Sequence, residues 1–261
     1  MKLTVLTDNT AGGSFLAEHG LSYLIEINGE KVLFDTGHSD VFLQNAAQKG
    51  LDLHTEVKTI VLSHGHWDHG DGLAHLRGQR LICHPLVFMP RFRRLNGTYL
   101  GLALSEQEAK ERFDVHTTKQ ALEVLPNLIF LGEVPRLNDF EAQSTTFIDA
   151  NKQADFVPDD SALVAIDGDE IVVITACSHA GICNIVDYAM KVSGKRQIRA
   201  IIGGFHLKQK DAQTQKVIAC LQALGVKEIY PSHCTELPAL SAFYDAFGIR
   251  QVKTGMVFEW L

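Results

Sequence analysis

Long apolar runs, a positive balance of charge and paired cysteines are all missing from this sequence, and each absence excludes something. No stretch approaches the ~20 apolar residues needed to cross a bilayer, so no membrane partner is expected. Lysine and arginine number 24 against 31 acidic residues, a formal charge of −7. A general nucleic-acid surface needs a basic face, so nucleic acid is not an expected partner either. The five cysteines (Cys83, Cys177, Cys183, Cys220 and Cys234) are odd in number and form no Cys-x-x-Cys pair, which argues against a disulfide framework. Nor does Met1-Lys2-Leu3-Thr4-Val5-Leu6-Thr7-Asp8 read as a signal peptide, because its apolar stretch is short and alternates. The expected compartment is the cytoplasm.

What remains is the composition of a globular protein, 46% hydrophobic and 21% charged over 261 residues. That length suits one layered α/β domain spanning 1–261. Its most informative stretch is Ser63-His64-Gly65-His66-Trp67-Asp68-His69-Gly70-Asp71-Gly72. It follows Lys58-Thr59-Ile60-Val61-Leu62, whose β-branched residues predict a buried strand. Three imidazoles and a carboxylate thus fall within six residues, in a loop rich in glycine. Those groups are ligands for zinc, iron or manganese. His64 and His66, two apart in an extended segment, point the same way and can hold one ion. Asp68 and His69, past the turn, can hold a second. Packed together without a cation, these groups would leave polar atoms or charge to be compensated.

This run resembles the signature of the metallo-β-lactamase superfamily, whose members are αββα sandwiches with one or two metals at one edge. The resemblance implies one or two divalent ions, zinc first, with manganese and iron as alternatives. Asp35, in Asp35-Thr36-Gly37 at the end of a strand, matches the superfamily's first motif, where it braces the metal loop instead of binding metal.

Along the chain, residues 2–7 alternate as a strand, and Asn28-Gly29 joins Leu21–Ile27 to Lys31–Phe34 as a hairpin. Residues 40–50 read as a helix closed by Gly50. Gln79–Cys83 is a strand that ends at His84-Pro85. Residues 86–158 read as an insertion that shapes a substrate pocket. Arg91, Arg93 and Arg94 alternate there with Phe88, Met89, Phe92 and Tyr99. This basic cluster reads as a site for an anionic substrate or, alternatively, as a solvated charged turn. Ser105 and Glu108 form a capping box for a helix through Phe113.

The second half repeats the first. Leu163–Thr175 lays onto Leu24–Thr36 without a gap, each position shifted by 139 (163 − 24), with Asn28-Gly29 on Asp167-Gly168. Helical stretches follow at about 182–193 and 211–224, with strands at 199–202 and 227–232. A β-β-α-β-α-β unit used twice is an internal repeat, and two such sheets with helices outside predict an αββα sandwich. Three more histidines, His179, His206 and His233, lie at strand ends of this half, where the repeat would carry loops to a shared edge. His179 and His233 are the expected further ligands, with His206 or Cys177 as additional candidates. His233 resembles the superfamily's last metal histidine. Ala176-Cys177 stands where a Gly-Asp step would supply the bridging carboxylate, so either Cys177 replaces it or His179 takes over its duty.

Cys177-Ser178-His179-Ala180-Gly181-Ile182, Gly203-Gly204-Phe205-His206-Leu207 and Ser232-His233-Cys234-Thr235 narrow the resemblance. With Glu18–Ser22 and Gly132–Arg136, they resemble 7,8-dihydropterin-6-methyl-4-(β-D-ribofuranosyl)aminobenzene-5′-phosphate synthase-like proteins. The expected activity is hydrolysis of a small phosphoester by a metal-activated water, with Asp68 binding metal and orienting the nucleophile. His19, His84, Arg91, Arg94 and Arg136 are the candidate substrate contacts. The alternatives are a dihydropterin-transferring synthase, or a metal or redox sensor.

Overall fold

The computed structural model describes residues 1–260, which divide into two compact units. One comprises Met1–Lys119, Thr145–Asp155 and the stretch from Lys253 onward; the other comprises Gln120–Ser144 and Phe156–Val252.

The first unit is built on a seven-stranded sheet. Ser22–Ile27 and Glu30–Phe34 form the expected hairpin, and Asn28 and Gly29 both take the left-handed φ that a two-residue turn requires (53° and 81°). Lys2–Thr7 pairs antiparallel on one side, itself flanked by Val257–Glu259. On the other side Thr59–Val61, Arg80–Cys83 and Asp114–Thr117 follow in parallel. Helix Val41–Gln48 buries Phe42 and Ala46 among Leu6, Leu24, Leu33, Ile60, Leu62 and Leu81. Each of the larger side chains among these, Phe, Leu or Ile, contributes about 1.5–3 kcal/mol when withdrawn from water. Within the expected insertion, Arg91–Arg93, Phe147–Asp149 and Ala154–Asp155 make a small sheet where 86–104 reads as irregular in the sequence. The capping box at Ser105 and Glu108 is formed and starts helix Glu106–Arg112.

The second unit carries a six-stranded sheet in the order Glu228–Ser232, Gln197–Gly204, Glu170–Thr175, Ala162–Asp167, Leu128–Phe130 and Leu122–Leu125. The first three run parallel and the rest pair antiparallel, which is the hairpin-then-parallel order of the first sheet. Helices Ile182–Ser193, Ala212–Ala223 and Leu237–Phe247 pack on it through Ile185, Val186, Val217, Leu221 and Phe243. The repeat is real, but its hairpin register differs from the ungapped superposition. Asp167 pairs with Glu170, so the turn is Gly168-Asp169, not Asp167-Gly168, and the offset is 140 (168 − 28). Gly168 takes the first turn position with φ 57°, which leaves Asp167 in the strand. Among the described residues no helix is long and apolar enough to cross a membrane.

Candidate metal centre

In the first unit the metal loop leaves the buried strand Thr59–Val61 and is fastened at once to the neighbouring strand end. Asp35, fully buried and held at φ 57°, donates its N–H to the Val61 carbonyl at 2.9 Å. One carboxylate oxygen accepts the Ser63 N–H and the other the Ser63 hydroxyl, each at 2.7 Å. The second oxygen also lies 2.8 Å from Nδ1 of His69. Three groups of the loop are thereby fixed by one side chain, and the Nε2 of His69 is turned towards Asp68, 3.6 Å from its Oδ2. Ser63 has no place in the motif as read from sequence, yet it supplies two of these three contacts.

The remaining ligands follow from this anchoring. His64 has Nδ1 at 2.9 Å from the Ser63 hydroxyl and Nε2 at 3.0 Å from Nδ1 of His66. The His64 and His69 rings lie 4.3 Å apart between centroids. A single helical turn, Trp67–Gly70, then places Asp68 and His69 together. Its carbonyls are taken by neighbouring segments: Asp68 O accepts from Leu21 N–H, and His69 O accepts from Thr36 N–H. The approach is too close for side chains at two glycines. A Cβ on Gly65 would stand 1.8 Å from the Val87 carbonyl oxygen, and one on Gly72 would stand 2.2 Å from that of Thr36.

His64, His66, Asp68 and His69 are all buried. Neutral imidazole nitrogens and a carboxylate facing one another at this range suit a divalent cation, which answers nitrogen lone pairs and negative charge together. The Asp35 contact to His69 is the carboxylate–histidine pairing that orients metal-binding imidazoles. The donor set therefore fits zinc, with the same N and O donors open to manganese or iron.

The other expected contacts are placed individually. His19 is exposed, with Nε2 3.3 Å from Asp68 Oδ2 and its ring 5.4 Å from that of Trp67. His84 is buried and accepts the Leu86 N–H at Nδ1. Arg91 is fully buried, its Nε 3.1 Å from Asp155 Oδ2, whereas Arg94 is exposed.

In the second unit the candidates sit in three loops that follow the parallel strands Glu170–Thr175, Gln197–Gly204 and Glu228–Ser232. The His179 and His206 rings lie with centroids 4.4 Å apart, tilted at 51° to each other. Cys177, His206 and Cys234 offer ligand atoms that all lie within 4.8 Å of one another. Burial opposes the Cys234 thiolate, but the Cys177 thiol and the His206 and His233 imidazoles prevail and hold its pKa well below the usual thiol value. The His179 loop is fastened by Asp160, whose Oδ2 accepts the Ala180 N–H at 2.8 Å. Burial pushes the Asp160 pKa up to about 7 against that bond and the Arg136 charge. Arg136 itself donates to the carbonyls of Phe156 and Val157. No periodicity or motif marks Asp160 in the sequence, where Asp159-Asp160-Ser161 reads as an ordinary polar turn.

The sequence profile of the Metallo-beta-lactamase superfamily matches residues 17–187, which include the whole His64–His69 run. The chain belongs to the metallo-β-lactamase superfamily. Its fold class is the one expected from the repeat. Relatives in Methanocaldococcus jannaschii extend the match over nearly the full length. The protein MJ0448 is 34% identical, covering 92% of both chains. The 7,8-dihydropterin-6-methyl-4-(β-D-ribofuranosyl)-aminobenzene-5′-phosphate synthase is 30% identical, over 95% of this chain and 92% of its own. Among solved structures, Tm1679, described as a metal-dependent hydrolase of the β-lactamase superfamily, is 31% identical, covers 100% of this chain and 99% of its own, and superposes with a TM-score of 0.89.

Proposed function

We propose that the protein is a metal-dependent hydrolase of a small anionic phosphoester. The observation that carries this reading is the buried cluster of His64, His66, Asp68 and His69, anchored by Asp35 through Ser63 and His69. These four residues would hold one or two divalent ions, with His179 and His233 as further ligands from the second half of the sequence. A bound ion supplies Lewis acidity and a water whose pKa lies near neutrality. The chain's own groups do the rest. Asp68, besides binding metal, orients the attacking water. His19, exposed and 3.3 Å from Asp68, is placed to exchange a proton with solvent. Asp35 keeps the His69 tautomer fixed, with Nδ1 towards the carboxylate.

Of the arginines of the basic cluster, Arg94 is, with Arg93, exposed and so placed to meet a phosphate, whereas the Arg91 guanidinium is committed to Asp155. Residues 86–158, which carry it, would shape the pocket, within a single functional domain. The likeness to the hydrolase Tm1679 supports the reaction class.

A transferase is the second reading, and the 30% identity to the dihydropterin-linked synthase favours it specifically. On that reading the same residues would stabilise a departing diphosphate. His66→Ala and Asp68→Ala are expected to abolish turnover on a panel of phosphodiesters while leaving the circular dichroism spectrum unchanged. Undiminished turnover in either variant would defeat the proposal. Tight binding of a reduced pterin with no ester hydrolysis would move the assignment to the synthase.

A further inference from the structure

We infer that Cys183 and Cys220 form an oxidation site, at which a hydroperoxide converts the two thiols into a reversible disulfide that ties helix Ile182–Ser193 to helix Ala212–Ala223. Both residues lie in the second unit, and neither belongs to a donor group of the metal centre. The inference holds for a hydrolase and a transferase alike. The two helices share one core: Cys183 is part of it with Ile185, Val186, Val217 and Leu221, and Cys220 packs against it. The Cys183 thiol is in hydrogen-bond contact with the Cys220 sulfur. A disulfide would bring these touching sulfurs to about 2.05 Å.

The surroundings make the two sulfurs unequal. Cys183 is 1% exposed, in the first turn of its helix, whereas Cys220 is partly exposed near the end of the other. The buried Glu141 carboxylate holds the Cys183 side of the pair. Its Oε1 accepts the Cys183 N–H at 3.0 Å, and the Cys183 thiol also reaches this side chain. Glycine lets the carboxylate lie so close to the helix start, because a Cβ on Gly181 would stand 2.5 Å from its Oε2. The contact with Cys220, burial and the Glu141 charge all push the Cys183 thiol up. The same contact pulls the Cys220 thiol down, against its own burial. The sulfur that favours the thiolate is thus the one that solvent reaches.

Thiolate character and access together select the cysteine that a peroxide oxidises, and a neighbouring thiol resolves the product. Cys220 as thiolate attacks one peroxide oxygen and the O–O bond breaks. The sulfur becomes a sulfenic acid, and the departing hydroxide takes a proton to leave as water. The Cys183 sulfur then attacks the sulfenic sulfur, the S–O bond breaks, and the hydroxyl leaves with the Cys183 proton as a second water. Two thiols have given two electrons to one hydrogen peroxide, and the products are one disulfide and two waters. Cys183 is the resolving thiol because it sits beside Cys220, shielded from the oxidant.

The test treats reduced full-length protein with hydrogen peroxide under native conditions, alkylates the remaining thiols and digests with trypsin without reduction. Cys220 leaves on peptide 217–227 and Cys183 on peptide 153–191, which also carries Cys177, so fragment spectra locate the bond. The two peptides should be joined through Cys183 in the wild type and in Cys177→Ser, and separate after dithiothreitol. In Cys183→Ser they should stay apart, with Cys220 left as a sulfenic acid that dimedone traps. The urea midpoint of the oxidised wild type should rise above that of the reduced protein, because the bond links residues 37 positions apart (220 − 183). Cys220 left as a free thiol, taken to sulfinic acid or joined to any other cysteine would overturn the inference. So would a lowered midpoint, which would mean that the bond strains the helix pair. Should Cys183→Ser fail to fold, the wild-type map decides alone. Turnover enters none of these readings, so the hydrolase proposal stands or falls separately.

Discussion

Asp35 and His69 meet at 2.8 Å, carboxylate oxygen to Nδ1, with both side chains fully buried. The contact ties the end of one strand to the far end of the metal loop, and it sets which nitrogen of His69 can face an ion. Removing an outer partner of this kind typically costs tenfold to a hundredfold in metal affinity. Asp35→Ala is therefore expected to lower metal retention by about that factor. Asp35→Asn should fall short of wild type as well, because an amide cannot accept from Ser63 N–H, Ser63 Oγ–H and His69 together. Metal content after dialysis against graded chelator checks both. Retention equal to wild type in Asp35→Ala would show that the loop holds its geometry unaided.

Gly65 separates His64 from His66, and its Cα faces the Val87 carbonyl with no room for a methyl group. The obstacle is backbone, which yields less readily than the end of a side chain. Gly65→Ala is expected to cost about 1–3 kcal/mol, the usual range for overpacking, and to spread the two imidazoles. Urea denaturation together with metal stoichiometry would show a lower midpoint and lost metal in one variant. A normal midpoint with full metal would mean that the Val87 segment moves freely.

Arg91 shows how a sequence reading can find the right neighbourhood and the wrong partner. Arg91, Arg93 and Arg94 look alike in the chain, and alternation along the strand Arg91–Arg93 would put Arg91 and Arg93 on one face, yet only Arg91 is buried. Arg91 turns inward to Asp155, a residue 64 positions away (155 − 91) that no local pattern could nominate. Taking away one member of a buried ion pair typically costs about 3–5 kcal/mol, whereas replacing both by apolar groups is often neutral. Arg91→Met alone should thus be strongly destabilising, and Arg91→Met/Asp155→Leu should recover most of the loss. A double-mutant cycle from urea melts measures this. Additive losses would argue that the pair is not coupled.

The same contrast explains what was legible elsewhere. The His64–His69 run could be read because its ligands are close in sequence and their spacing carries geometry. The Asn28-Gly29 turn and the Ser105–Glu108 capping box could be read because each is a short-range device with its own residue signature. Helices Ile182–Ser193 and Ala212–Ala223 fall where their apolar periodicity puts them. Edge elements were not legible. Asp114–Thr117 pairs only with Arg80–Cys83 and is largely exposed, so it has no alternating pattern to detect. Val257–Glu259 is three residues long and acquires its strand character from Lys2–Thr7. Helix Leu237–Phe247 opens with Pro238 directly after the His233 loop, and no side-chain cap marks its start. The one-residue shift in the second hairpin has the same origin. Asp167-Gly168 and Gly168-Asp169 are both good turn pairs, and strand pairing decides between them.

The helix after the His179 loop depends on a carboxylate from a distant segment, and this makes its stability sensitive to pH. Gly181 at the N-cap of Ile182–Ser193 offers no side chain, so Glu141 serves instead. Its Oε1 accepts Cys183 N–H at 3.0 Å and its Oε2 accepts Asn184 N–H at 3.1 Å, with Asn138 Nδ2 donating at 2.6 Å. Burial nonetheless wins over these bonds and raises the Glu141 pKa above its ordinary value of 4.5. A folded-state pKa above the unfolded one means that the group's contribution to stability is full below the unfolded pKa. That contribution is lost as pH rises through the folded value. Glu141→Gln cannot titrate. It gives up one of the two helix acceptors and should start less stable than wild type in acid, by about 1 kcal/mol. The gap between them should narrow as the pH is raised to neutrality. Urea midpoints of the two proteins across that range provide the comparison, and a gap that stays constant or widens would show that Glu141 is already ionised at the acid end.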